Sequence, residues 1–279
     1  MTFQLHYCLG LPRTCSTILM KILNENPRIF TTGTCPIPSF IQACQVNITM
    51  TPECLALDKD VLNESYINFL RQGMRGWYGT MTDKPIVISK ARTWAEFLPH
   101  TFAIDPNSKY IILLRDLRDI ICSLESLIWK YPYLIYGNDN PNNQFYKKPF
   151  KERIELYCTD PQTCLGRSLS HLPHVMEIMS RHPDNFLICR QEDFNKEPQS
   201  ELKRIYYFLG EEYFKHDLNN IPESEYYEHD TVYRGLLTHK TGNKFRNIEN
   251  RWPKVMTEEE STLVLENNKS YYDTFYPDL

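Results

Sequence analysis

Residues 3–26, FQLHYCLGLPRTCSTILMKILNEN, decide how the rest of the chain is read. Phe3–Leu9 reads as a strand and Thr17–Asn26 as a helix. The connection between them is Gly10-Leu11-Pro12-Arg13-Thr14-Cys15-Ser16-Thr17. A loop of this length between a strand and a helix points successive backbone N–H groups inward, and the helix start adds partial positive charge. The segment is therefore expected to bind an anion without a metal. An ordinary strand-to-helix turn is the plain alternative.

Working outward, four more strand-like runs follow: Arg28–Thr31, Pro85–Ser89, Lys109–Leu114 and Asn185–Cys189. Ile86-Val87-Ile88 and the run Tyr110–Leu114 are continuously apolar, as expected of strands covered on both faces. Helical segments alternate with them at Thr93–Leu98, Leu117–Trp129 and Glu197–Leu209, the last stopping at Gly210. Strands alternating with helices imply an α/β fold, a central parallel sheet flanked by helices, in a single domain over residues 1–279. Residues 36–82 read as largely helical, 131–150 as a long loop rich in Tyr, Asn and Pro, and 211–250 as an irregular excursion.

Composition narrows the function classes. With 279 residues, 42% hydrophobic and 24% charged, the chain has ordinary globular make-up and enough length for a sizeable core. A net charge of −4 argues against a general nucleic-acid binder. No apolar run is long enough for a membrane span, and Met1–Gly10 reads as a strand and not as a signal peptide. The nine cysteines include no Cys-x-x-Cys pair and no His/Cys cluster, so no metal is expected. They read as small buried hydrophobes in a reducing compartment, with a cytoplasmic location; Cys158 and Cys164 are the one pair whose spacing suggests a bridge.

The 10–17 loop differs from the triphosphate-binding pattern G-x-x-x-x-G-K-[ST] where it matters. Gly10 and Thr17 fit its ends, but Cys15 replaces the second glycine and Ser16 stands in place of the lysine that reaches the β- and γ-phosphates. Arg13 instead brings a guanidinium suited to a flat, diffuse anion.

Residues 10–27, GLPRTCSTILMKILNENP, resemble the 5′-phosphosulfate loop of sulfotransferases that use 3′-phosphoadenosine-5′-phosphosulfate (PAPS), most of all the tyrosylprotein and Golgi carbohydrate branches. The sequence departs from that family at Cys15, where glycine is usual, and at Ser16, where threonine is. The run Tyr110–Ser123, YIILLRDLRDIICS, is similar to the family's 3′-phosphate motif, in which an arginine leaves the strand and a serine lies on the following helix: Arg115 and Ser123. Arg115 is expected at the carboxyl end of its strand, where open α/β sheets bind ligands. Asp116 and Asp119 suit a helix start, and Arg118 reads as a solvated charge. Lys90 ends the third strand where the family places a basic residue near the sulfuryl group. FLICRQEDF, residues 186–194, with Pro198 and Phe208-Leu209-Gly210, is similar to a later family segment, although Gln191 stands where many members have tyrosine. Gly242-Asn243-Lys244-Phe245 resembles the late basic loop over the nucleotide.

The resemblance implies a P-loop-containing nucleotide-transferase-like fold and sulfuryl transfer from PAPS to a hydroxyl acceptor (carbohydrate, peptide tyrosine or small molecule), with PAP released. It assigns Lys90 and Arg13 to the charge that develops in transfer. It assigns Arg13, Thr14, Cys15, Ser16, Thr17, Arg115, Ser123 and Lys244 to the nucleotide. The general base stays open. Arg92 stands where small-molecule members have histidine, the stretch Thr32–Pro36 has no glutamate, and His100, His171, His174 and His239 remain. Two rivals also remain: a P-loop nucleotide kinase or phosphotransferase, and an inactive sulfotransferase-like module that binds anionic glycans.

Overall fold

The computed structural model describes residues 3–128, 145–222 and 242–279. In them β1 (Gln4–Gly10), β2 (Ile29–Thr31), β3 (Ile86–Lys90), β4 (Tyr110–Leu114) and β5 (Phe186–Arg190) form one sheet in the order β2-β3-β1-β4-β5. Every pair is parallel. Each strand lies within one residue of its expected bounds.

Side chains alternate across the sheet, because successive residues of a strand point to opposite faces. Leu5, Tyr7, Leu9, Val87, Tyr110, Ile112 and Leu114 enter one apolar core. Cys8, Ile86, Ile88, Ile111, Leu113 and Cys189 enter the other. On the first face Tyr7 stacks on Tyr110 at 5.2 Å and Tyr110 on Phe186 at 4.8 Å, a row of rings joining β1, β4 and β5. Both faces are covered, so the strands can be apolar throughout.

The helices are α1 (Ser16–Asn24), α2 (Ile37–Met50), α3 (Pro52–Leu55), α4 (Lys59–Gly79), α5 (Leu98–Ile104), α6 (Leu117–Ile128), α7 (Phe150–Thr159), α8 (Cys164–Arg181), α9 (Gln191–Lys196), α10 (Pro198–Leu209), α11 (Glu258–Asn267) and α12 (Lys269–Phe275). The helical reading of 36–82 holds, and α10 ends at Gly210 in the left-handed region, φ 78°. The segment expected at Thr93–Leu98 is instead a 3-10 turn, Arg92–Phe97, followed by α5. Trp94 fixes that turn: its Nε1 donates to Ser89 Oγ at 3.0 Å and its ring meets Tyr7 edge-on at 4.9 Å. The expected loop 131–150 lies outside the described residues as far as 144, and its end is ordered: residues 145–147 form a 3-10 turn and Phe150 opens α7. Within 211–250, the described residues form no helix or strand, and 223–241 lie outside them.

All nine cysteines are free, Cys158 and Cys164 included. No helix among the described residues is long and apolar enough to cross a membrane.

Candidate functional site

The loop after β1 begins where nothing larger than glycine fits. Gly10 has φ 137°, and a Cβ there would lie 2.1 Å from the backbone oxygen of Leu113 on β4. Leu11 N then donates to that same oxygen at 3.0 Å, holding the loop against β4. Arg13 and Cys15 follow at φ 62° and 57°, the positive-φ residues other than glycine among those described. Left-handed residues on either side of Thr14 turn the amides to one side, the geometry of an anion-binding nest. Thr14 closes the turn by donating from Oγ1 to Leu11 O at 3.0 Å. Cys15 is the N-cap of α1, yet no side chain caps the helix and no acid stands in its first turn. The first amides of α1 are thus left for an external anion.

Two distant segments converge on Arg13. Its Nε donates to Ser123 Oγ on α6 at 3.0 Å, and Arg115 Nη1, just past β4, donates to Arg13 O at 3.0 Å. Arg115 is 4% exposed, and its Nη2 lies 3.7 Å from Asp119 Oδ2. Asp119 Oδ1 also accepts from the amides of Arg251 and Trp252, at 2.7 and 3.1 Å, so one carboxylate positions both Arg115 and the late segment. That segment is fixed further by Phe245 N donating to Leu218 O at 2.8 Å and by Asn195 Nδ2 donating to Ile248 O at 3.0 Å.

These pieces line one cavity of about 540 Å³. Every residue that the resemblance assigns to the nucleotide or to the transfer charge borders it: Arg13, Thr14, Cys15, Ser16, Thr17, Lys90, Arg115, Ser123 and Lys244. Lys90, the last residue of β3, is 8% exposed and donates from Nζ to Gly33 O at 2.5 Å. Arg92, Arg246 and Arg251 add three further cations, and no Asp or Glu is among the described lining residues. Burial pushes the Arg13 guanidinium below its ordinary value, with Arg115 and Arg251 adding to the effect. Burial pushes the Cys15 thiol up, against the pull of Arg115 and Arg13, which keeps it neutral in the cradle.

Other expectations fare differently. Arg118 is not solvated: it is 5% exposed, holds Asp116 through Nη2 at 2.6 Å, and its guanidinium lies 4.0 Å from the centre of the Trp252 ring. Its cover comes from the end of the chain: Trp252, Ser261 on α11, which accepts from Arg118 Nη1 at 3.3 Å, and α12. Tyr272 donates to Asp116 Oδ1 at 2.9 Å and Tyr271 to Arg115 O at 2.8 Å, covering the start of α6. Asp116 caps α6 by accepting from Arg118 N at 2.9 Å. Gln191 is buried away from the cavity lining, with Oε1 and Nε2 unbonded among the described residues. His100 bonds Gln45, and His171 and His174 lie beside Glu96 and Glu177; none lines the cavity, and His239 lies outside the described residues. Cys164, Arg246 and Arg251 were missed, since only tertiary contacts bring their segments to the loop.

Comparison with known proteins agrees with this geometry. The Sulfotransferase domain family matches residues 9–261 of the chain. The structure is similar to the sulfotransferase domain of the Synechococcus PCC 7002 olefin synthase, 14% identical, covering 95% of this chain and 94% of that one, with a TM-score of 0.57. It is similar to the sulfotransferase domain from the curacin biosynthetic pathway, 16% identical over 96% of this chain and 98% of that one, TM-score 0.59. A sulfotransferase from Mycobacterium avium is 15% identical over 99% of this chain and 78% of its own, TM-score 0.51. At these identities the likeness is one of fold. No curated protein matches the sequence.

Proposed function

The chain belongs to the sulfotransferase family, and on that premise we propose that residues 1–279 act as one domain that moves a sulfuryl group from PAPS to a hydroxyl acceptor and releases PAP. One observation carries the reading. Arg13 joins the phosphate loop to both Arg115 and Ser123, through bonds of 3.0 Å each, so that one basic cavity spans all three. The fit to a multiply charged nucleotide rests on that cavity: a nest of amides, an uncapped helix start and six cationic side chains (Arg13, Lys90, Arg115, Lys244, Arg246 and Arg251).

In this reading the amides of Thr14 to Thr17 and the Arg13 guanidinium hold the 5′-phosphosulfate. Arg115 and Ser123 hold the 3′-phosphate, and Lys244 closes over the nucleotide from the late segment. PAPS supplies an activated sulfuryl group on a good leaving oxygen. The acceptor oxygen bonds to sulfur and gives up its proton, to solvent or to the base left open above, as the bond to the bridging oxygen breaks and negative charge grows on the bridging oxygen. Lys90 and Arg13 meet it, which is electrostatic stabilisation by preplaced cations. Ser16, in place of a P-loop lysine, counts against the triphosphate-dependent rival.

The test uses ³⁵S-labelled PAPS and a panel of hydroxyl acceptors, with Lys90→Ala beside the parent. Label should pass to an acceptor. Lys90→Ala should bind PAP within a few-fold of the parent yet turn over about a hundredfold more slowly, because its contact strengthens in the transition state. Near-parent turnover would make Lys90 structural. Label transfer to no acceptor, with PAP bound, would favour an inactive binding module.

A further inference from the structure

The donor reading leaves Arg92 without a task. This residue opens the 3-10 turn two positions beyond Lys90, and it lines the same cavity. Its side chain is exposed, and among the described residues no hydrogen bond or ion pair engages it.

Strand order says which end of the cavity Arg92 serves. β3 lies on one side of β1 and β4 on the other. Along the carboxyl edge of the sheet, Lys90 and Arg92 therefore come first, then the phosphate loop, then Arg115 and Ser123. With the 3′-phosphate at Arg115 and the sulfuryl group facing Lys90, Arg92 lies past the sulfuryl end, where the acceptor must sit. α8 closes this wall. It packs on the 92–97 turn, where Arg167 grips Glu96 through two bonds of 2.8 Å, and Cys164 at its start lines the cavity. No acid stands in the first turn of α8, so its end adds positive potential to that of Arg92.

A guanidinium stays protonated at neutral pH and has no lone pair to accept a proton. Arg92 therefore cannot do the work of the histidine found at this place in small-molecule members. Its planar fork pairs with oxyanions, often through two parallel bonds. Resting on PAPS as the donor, we infer that Arg92 recognises an oxyanion, carboxylate or phosphate, carried by the hydroxyl acceptor. A cation with no partner among the described residues also selects, on this wall, against neutral acceptors.

The experiment titrates PAP-saturated protein, by calorimetry, with acceptors matched in all but charge: 4-hydroxybenzoate against its methyl ester, and glucose 6-phosphate against glucose. Turnover with PAPS is measured on the same pairs. The parent should prefer at least one anionic member by about tenfold or more, the typical scale of a charge-assisted bond. In Arg92→Ala that preference should collapse toward one, through KM more than kcat, and Arg92→Lys should recover part of it. PAP affinity should stay within about threefold. The benzoate and phosphate arms tell which oxyanion is read. No anionic preference in the parent, or a kcat loss in Arg92→Ala shared by charged and neutral acceptors, would overturn the inference. Failure to bind PAP at all would instead remove the donor reading beneath it.

Discussion

Cys15 holds a left-handed conformation, φ 57° and ψ 20°, that costs an L-residue roughly 1–2 kcal/mol. The turn into α1 demands it, because the amides on either side must face the cavity. Glycine adopts this conformation freely, which explains in physical terms why cysteine is a departure here. Cys15→Gly should therefore raise stability by about 1 kcal/mol, read as a higher urea midpoint, without weakening nucleotide binding. A lower midpoint would mean that the packing of the Cys15 side chain outweighs the backbone strain. The departure itself was legible in the sequence. The second left-handed position, Arg13, was not, since no residue preference marks an arginine for positive φ. Arg118 is buried for a related reason that no local pattern marks: Trp252, Ser261 on α11 and Tyr272 on α12, all far along the chain, cover it.

At the scale of elements, the seam between β1 and β4 carries the loop, and His6 sits in it. His6 Nδ1 accepts from Lys109 N at 3.2 Å, a bond that needs the neutral ring. Burial, then the charge of Lys109, lowers its pKa from 6.5 to about 4. Because the folded value lies below the unfolded one, the unfolded chain takes up the proton first. The stabilisation is present above pH 6.5 and is lost as pH falls toward 4, by roughly 3 kcal/mol in all. Urea midpoints should therefore drop between pH 7 and pH 5, and less steeply in His6→Gln. Equal pH dependence in both proteins would place the acid sensitivity elsewhere. Of the strands in this seam, β4 was readable because a continuous apolar run bounded by turns leaves few alternatives, and β1 because a turn rich in Gly, Pro and Thr and then a helix follow it. α7, α8, α11 and α12 were not singled out: they bear no motif, and their burial comes from packing on one another, on α6 and, for α8, on the 92–97 turn.

At the scale of the whole molecule, a chain of net charge −4 gathers seven cations around one cavity. That contrast does not follow from composition. The motif residues were legible because the loop and the β4–α6 turn each keep a local pattern. Arg246 and Arg251 were not, because Asp119 draws their segment in from a distant part of the chain. The proposed transfer from PAPS requires first of all that the cavity bind the nucleotide, PAP included. The direct measurement is a calorimetric titration of the parent and of Arg115→Ala with PAP, adenosine-5′-phosphosulfate and ATP. On the proposed function, the parent binds PAP more tightly than ATP. Arg115→Ala should bind PAP at least about tenfold more weakly, while adenosine-5′-phosphosulfate, which lacks the 3′-phosphate, is affected much less. ATP bound in preference to PAP, or no binding of PAP, would contradict it.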